Sequence, residues 1–184
     1  MRAISAILLL CGLIVCAVSA GAQTTPAPNP FLAACGDEKT SFDVSRGAVG
    51  DTARALEPGK AVVYIIEVFN IRDKGRFNRP TIKHGLDGAW IGATQGFTYV
   101  SAAIDPGEHH LCSRWQSHLN ALSDQVSLYN FTAAENNRYY FRVQINIEGN
   151  TAGGAVSIDL EPVSEDEGRF LLSQAAQSVS KPKK

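Results

Sequence analysis

The chain has little of what usually identifies a protein from sequence alone. It has no charge imbalance: 17 Lys and Arg stand against 18 Asp and Glu, a formal net charge of -1. Bulk attraction to nucleic acid or to an acidic membrane therefore has no support. The apolar run Ile4 to Val18 falls short of the roughly 20 residues a spanning helix needs, which makes an uncleaved anchor the weaker reading. A G-x-S-x-G elbow and an H-E-x-x-H pair are both missing, which removes two hydrolase signatures. Cysteines number only 4, and two of them, Cys11 and Cys16, sit inside the apolar run.

What the N-terminus does contain is ordered like a secretory signal peptide. Arg2 gives a positive start, the apolar run follows, and Ala20-Gly21-Ala22 closes it with small residues that fit the A-x-A cleavage rule. Leu32-Ala33-Ala34-Cys35-Gly36 looks like a lipid-attachment box, but the polar, proline-rich stretch Gln23 to Pro30 separates it from the apolar run. The box reads as a decoy. The expected organisation is a signal peptide over 1–22, a flexible Pro-rich spacer over 23–34, a single domain over 35–178 and a disordered basic tail over 179–184. The expected location is outside the cytoplasm, periplasmic or secreted. With the leader removed, Cys35 and Cys112 are left as an even pair, which an oxidising compartment favours as a disulfide. Closing a loop of that length is worth about 4.5 kcal/mol in the chain-entropy account.

Hydrophobic spacing over the rest is mostly of period two, the mark of strands with one buried face. Tyr139, Phe141, Val143, Ile145 and Ile147 alternate with Tyr140, Arg142, Gln144 and Asn146, and Val156, Ile158 and Leu160 alternate with Ser157, Asp159 and Glu161. Ala61 to Phe69 is nearly all apolar, as a central strand covered on both faces would be. Shorter candidates are Ser41 to Val44, Thr81 to Leu86, Ala89 to Gly92, Phe97 to Ile104, His109 to Trp115 and Val126 to Ala133. Asp87-Gly88 is a two-residue hairpin signal, Asp105-Pro106-Gly107 another turn, and Gly153-Gly154 a third. Near the C-terminus, Ser164 and Glu167 form a capping box, with Phe170, Leu171, Ala175 and Val179 as the apolar stripe of the helix it starts. Gly168 weakens that helix. The expected architecture is mainly β: an antiparallel β-sandwich of about 7–9 strands with one C-terminal helix packed on it, covering the apolar strand at Val62 to Phe69.

The run Leu86-Asp87-Gly88-Ala89-Trp90-Ile91-Gly92, followed by Asp105-Pro106-Gly107-Glu108-His109-His110-Leu111, resembles an exported bacterial family of unknown function. More distantly it resembles the PEGA and carboxypeptidase-regulatory-like sandwich domains. Pro58-Gly59-Lys60-Ala61-Val62-Val63-Tyr64 is similar to the first core strand of that family. The resemblance implies a small envelope or secreted module, and assigns no catalytic residue, because its motifs mark turns and core strands.

Reactive constellations are scarce. His109 and His110 with Cys112 suggest a metal site, but neighbours on a strand face opposite ways, and an oxidised Cys112 is no thiolate ligand. His110 and Cys112 are expected on one face, His109 and Leu111 on the other. His84 reads as a half-buried histidine held by a hydrogen bond, and His118 lies in a polar loop. Trp90, just beyond the Asp87-Gly88 turn, is a candidate contact platform, with packing against a neighbouring strand as the alternative; Trp115 reads as core. Arg72, Lys74, Arg76 and Arg79 outnumber Asp73 between two strands and flank Phe77, a combination suited to an anionic partner. Glu165, Asp166 and Glu167 complement the helix dipole. The expected function is thus a non-enzymatic, exported module that binds a protein, a glycan or an envelope component without a cofactor. The alternative is a metal-binding protein or hydrolase using His109 and His110.

Overall fold

Alternation in the sequence becomes two sheets whose inward faces share one core. The computed structural model describes residues 34–49, 54–68, 80–119, 122, 124–148 and 155–183. The expected signal peptide, the spacer up to residue 33, the cationic run over 70–79 and the Gly153-Gly154 turn lie outside the described residues. Within them are ten strands: β1 (Phe42–Val49), β2 (Ala61–Val68), β3 (Thr81–Leu86), β4 (Ala89–Gln95), β5 (Thr98–Ile104), β6 (Gly107–Gln116), β7 (Val126–Ala133), β8 (Arg138–Glu148), β9 (Ala155–Val163) and β10 (Ala176–Pro182). One helix, α1 (Glu165–Gln174), stands between β9 and β10.

The larger sheet has the order β1-β10-β5-β2-β8-β9 and the smaller one β4-β3-β6-β7. An all-antiparallel arrangement was the expectation, and the larger sheet departs from it. There β2 runs parallel to β8, and β10 parallel to β5. The cause is chain routing: β3, β4, β6 and β7 build the second sheet between β2 and β8, and α1 carries the chain back before β10.

Ala61, Val63 and Ile65 of β2 meet Ile82, Leu111, Trp115, Phe141, Val143 and Ile158 in the core between the sheets. The opposite face of β2 carries Val62, Tyr64 and Ile66, which pack with Tyr99, Tyr140, Leu172 and Ala175. The apolar strand is therefore covered on both faces, and the helix supplies part of the second cover, as its sequence predicts. Burial of this kind stabilises by about 25 cal/mol per Å² of apolar surface removed from water.

The face that α1 buries keeps half of the predicted stripe, since Ala175 is buried and Leu171 packs against the same cluster. Gly168, Leu172 and Ala175 point inward, whereas Phe170 is 63% exposed. Val179 is not helical at all; it lies in β10 and is 43% exposed. Ser164 caps the helix as expected, its Oγ accepting from the Glu167 amide at 3.2 Å. The Glu167 carboxylate turns instead to Arg142 of β8, at 2.7 Å. Gly168 is there for closeness rather than by default: a Cβ at that position would lie 2.2 Å from the Tyr140 ring. Past the helix, where the sequence reading places the domain end and a disordered tail, Ala176–Pro182 pairs with β1 along its length. Its exposed pattern of Ser and Lys hides the strand from a periodicity argument.

Candidate functional site

Residues 34–41 run as a strap across the outer face of the smaller sheet. Cys35 is joined to Cys112 of β6 by a disulfide with Cα atoms 5.2 Å apart. Further along, the Trp90 indole N–H donates to the Asp37 carbonyl at 2.7 Å. The Lys83 ammonium donates to the carbonyls of Glu38 and Thr40, at 3.2 and 2.7 Å, and stands 4.4 Å from the centroid of the Trp90 ring. Side-chain bulk is absent at two positions where the strap passes closely. A Cβ on Gly36 would lie 2.5 Å from Trp90 Cδ1, and one on Gly85 would lie 2.7 Å from the Ala34 carbonyl oxygen. Trp90 is accordingly half-buried beneath the strap, packed with Ala34, Cys35 and Cys112. It packs, but chiefly against the strap rather than against a neighbouring strand as the alternative had it.

The strap forms one wall of a cleft of about 280 Å³ at the end of β6. Lys39 comes from the strap, Lys83 from β3, Arg114 from β6 and Lys183 from just beyond β10, with His118 near the rim. Opposing them is Glu38, whose carboxylate lies 2.9 Å from Arg114. Lys183 is paired to Asp43 at 3.3 Å. Burial and the nearby Arg114 charge lower the Lys83 ammonium to a pKa of about 8, against the pull of Glu38 and Asp37. Such crowding of cations around open space is the electrostatic form of an anion site. Sequence reasoning missed the cleft because its walls come from separate segments, none cationic by itself.

His109, the residue of the metal-site idea, is held on both ring nitrogens. Nδ1 lies 2.6 Å from Asp87 Oδ2 and Nε2 lies 2.7 Å from the Asp105 carbonyl oxygen. Asp87 also accepts from the His110 amide at 2.8 Å. Asp87 and Gly88 adopt the positive φ that the hairpin signal predicts, 51° and 82°. His109 therefore ties the β3–β4 turn to the β5–β6 turn. Burial pushes its pKa down, but the acceptors at Asp105 and Asp87 and their negative charges outweigh burial and raise it. Neither nitrogen has a lone pair to offer a metal while these bonds stand. His110 points outward, 4.0 Å from Glu108. Among the described residues, no group of three or more His, Cys, Asp and Glu side chains is placed to hold a metal ion.

A second polar line lies wholly inside. Ser113 Oγ is 3.0 Å from His84 Nδ1, His84 Nε2 is 2.8 Å from Thr94 Oγ1, and Thr94 Oγ1 is 2.5 Å from Glu67 Oε2. The Gly96 amide donates to Glu67 Oε1 at 2.9 Å. All four side chains are fully buried, so His84 is sealed rather than half-buried as expected. Desolvation raises Glu67 to a pKa of about 8, against the hydrogen bonds from Thr94 and Gly96. Desolvation lowers His84 to about 3. The order of groups is that of a proton relay, yet the line has no face open to a substrate. Its role in the fold is to join β2 to the opposite sheet. Glu67 is legible in retrospect as the lone acid on the inward parity of an apolar strand.

Among the described residues, no helix is long and apolar enough to cross a membrane. No family model, no curated protein and no solved structure matches this chain.

Proposed function

We propose that this chain is an exported, non-enzymatic module of the β-sandwich type that binds a protein, a glycan or an envelope component in the periplasm or outside the cell. The observation that carries the reading is the strap, fastened by the Cys35–Cys112 disulfide. A disulfide buried beneath packed side chains is a feature of proteins that mature under oxidising conditions. The resemblance to exported sandwich domains agrees with it: Asp87-Gly88 and Asp105 to Gly107 are both used as turns, which His109 locks together. A recognition role is supported by the cationic cleft. The run Arg72, Lys74, Arg76, Phe77 and Arg79, outside the described residues, supports it by its charge and its aromatic residue.

Fractionation of cells expressing the full chain, with a free-thiol count on the unfolded protein, tests export. Recovery outside the cytoplasm with Cys35 and Cys112 oxidised is expected; cytoplasmic retention with both thiols reactive would overturn it. Pulldown from the envelope fraction tests the contact. A partner captured by the native chain should be lost when Arg72, Lys74, Arg76 and Arg79 are reversed to Glu. Unchanged capture removes the run from the binding surface.

A further inference from the structure

Cations that converge from four separate parts of a chain repel one another, and a fold keeps them together only where negative charge answers them. In the cleft beside the strap, Lys39, Lys83, Arg114 and Lys183 meet around about 280 Å³ of open space. Among the described lining residues Glu38 is the one carboxylate, paired with Arg114, while Asp43 outside the lining pairs with Lys183. We propose that this cleft binds a small ligand bearing an oxyanion, a phosphate monoester or a carboxylate carried on a polar body the size of one sugar ring. The inference rests on the binding-module reading and gives its site a ligand class.

Three features define that class. The volume lies just under the usual lower bound of about 300 Å³ for small-molecule pockets, so a single ring with its charged substituent is the natural size. Ser41 and Ser117 line the space with hydroxyls, matching a polar body rather than an apolar one. Arg114 presents a planar guanidinium, the group best shaped to clasp an oxyanion through two parallel hydrogen bonds. Glu38 now stands on Arg114, 2.9 Å away, but its side chain is 62% exposed on the strap. It is the cleft's own stand-in anion, able to swing out when a ligand arrives. Lys83 lies at the base, held to the strap carbonyls, and contributes its charge.

Calorimetric titration of the full chain at physiological salt, with glucose 6-phosphate, glucuronate and uncharged glucose as probes, tests the proposal. Saturable binding of one or both charged sugars is expected, with glucose silent; which of the two binds tells phosphate from carboxylate. The double variant Lys39→Ala/Lys183→Ala changes only exposed side chains and should weaken binding by about tenfold or more. Lys60→Ala/Arg169→Ala removes equal charge away from the cleft and should leave binding within about twofold. Glu38→Gln should tighten binding by about three- to tenfold, because the competing carboxylate is gone. No saturable binding of either charged sugar, glucose binding as well as they do, or equal weakening by the two double variants would each overturn the site. Looser binding or no change in Glu38→Gln would overturn the stand-in role. None of these failures touches export or the 70–79 contact, which are read by fractionation and pulldown.

Discussion

Thr94 Oγ1 stands 2.5 Å from Glu67 Oε2, a hydrogen bond that crosses from the smaller sheet to the larger through the centre of the molecule. Glu67 keeps its proton in the folded chain up to about pH 8, against 4.5 for the ordinary group. Its contribution to stability is whole below 4.5 and drains away as pH rises through about 8. His84 runs the other way, lowered from 6.5 to about 3. Its contribution is whole above 6.5 and is lost as pH falls toward 3.

These opposed slopes, each at most about 1.4 kcal/mol per pH unit, cancel between 4.5 and 6.5. Denaturant unfolding across pH should therefore show a plateau there, with losses on both sides. Glu67→Gln keeps a neutral side chain of the same shape, whose amide oxygen can still accept from the Gly96 amide. It should match the native chain below pH 4.5 and exceed it increasingly above, rising between 4.5 and 6.5 where the native chain is flat, because the His84 slope is no longer cancelled. A variant weaker at every pH would show that Glu67 is needed as a carboxylate.

His109 makes a separate prediction, because its pKa is raised rather than lowered. Its clamp is fully present below 6.5, the ordinary value, and is lost as pH rises through the higher folded value. In an NMR titration the His109 ring should change protonation above 6.5 in the native chain. In Asp87→Asn the midpoint should fall. An unmoved midpoint would mean that Asp87 does not set the charge of the ring.

The strap should come loose as a unit. Replacing Cys35 and Cys112 together by Ser should cost about 2–5 kcal/mol. Trp90, no longer covered by residues 34–37, should shift its fluorescence to longer wavelength. Gly85→Ala, which drives a Cβ against the Ala34 carbonyl, should give the same spectral shift with the disulfide intact, and cost about 1–3 kcal/mol. Native-like fluorescence in both variants would contradict the packing of Trp90 under the strap.

Gly168→Ala sets two effects against each other. In an exposed helix the change would gain about 1 kcal/mol in propensity. Here the new Cβ would meet the Tyr140 ring at 2.2 Å, and overpacking costs about 1–3 kcal/mol. Net destabilisation in denaturant unfolding is expected. A more stable variant would mean that helix and ring part easily.

How much of this could be read beforehand depends on where each interaction keeps its signal. β8 and β9 alternate cleanly, so their strands and inward residues are legible. So are the doubly apolar β2, the Asp87-Gly88 turn and the Ser164 cap, each set by local residue chemistry. The parallel pairs are not, because they follow from the route of the chain between sheets. The strap is silent for a different reason: Asp37, Glu38 and Thr40 hold it through backbone carbonyls, which every residue type possesses. Of the binding candidates, Trp90 sits beneath the strap, while Arg72, Lys74, Arg76, Phe77 and Arg79 fall outside the described residues. His109 and His110 do face opposite ways, but the work of His109 depends on Asp105, a partner contributed through its main chain.

The pairing of the first strand with the last has a bearing on how the molecule is made. Among the described residues, β1 has β10 as its strand partner, from Phe42 with Pro182 to Val49 with Ala176. A ribosome delivers β1 long before β10. The first of the two must wait, unpaired, until the second has emerged. Its seat in the sheet is then completed by β10, so a truncation that removes β10 would leave β1 without its neighbour.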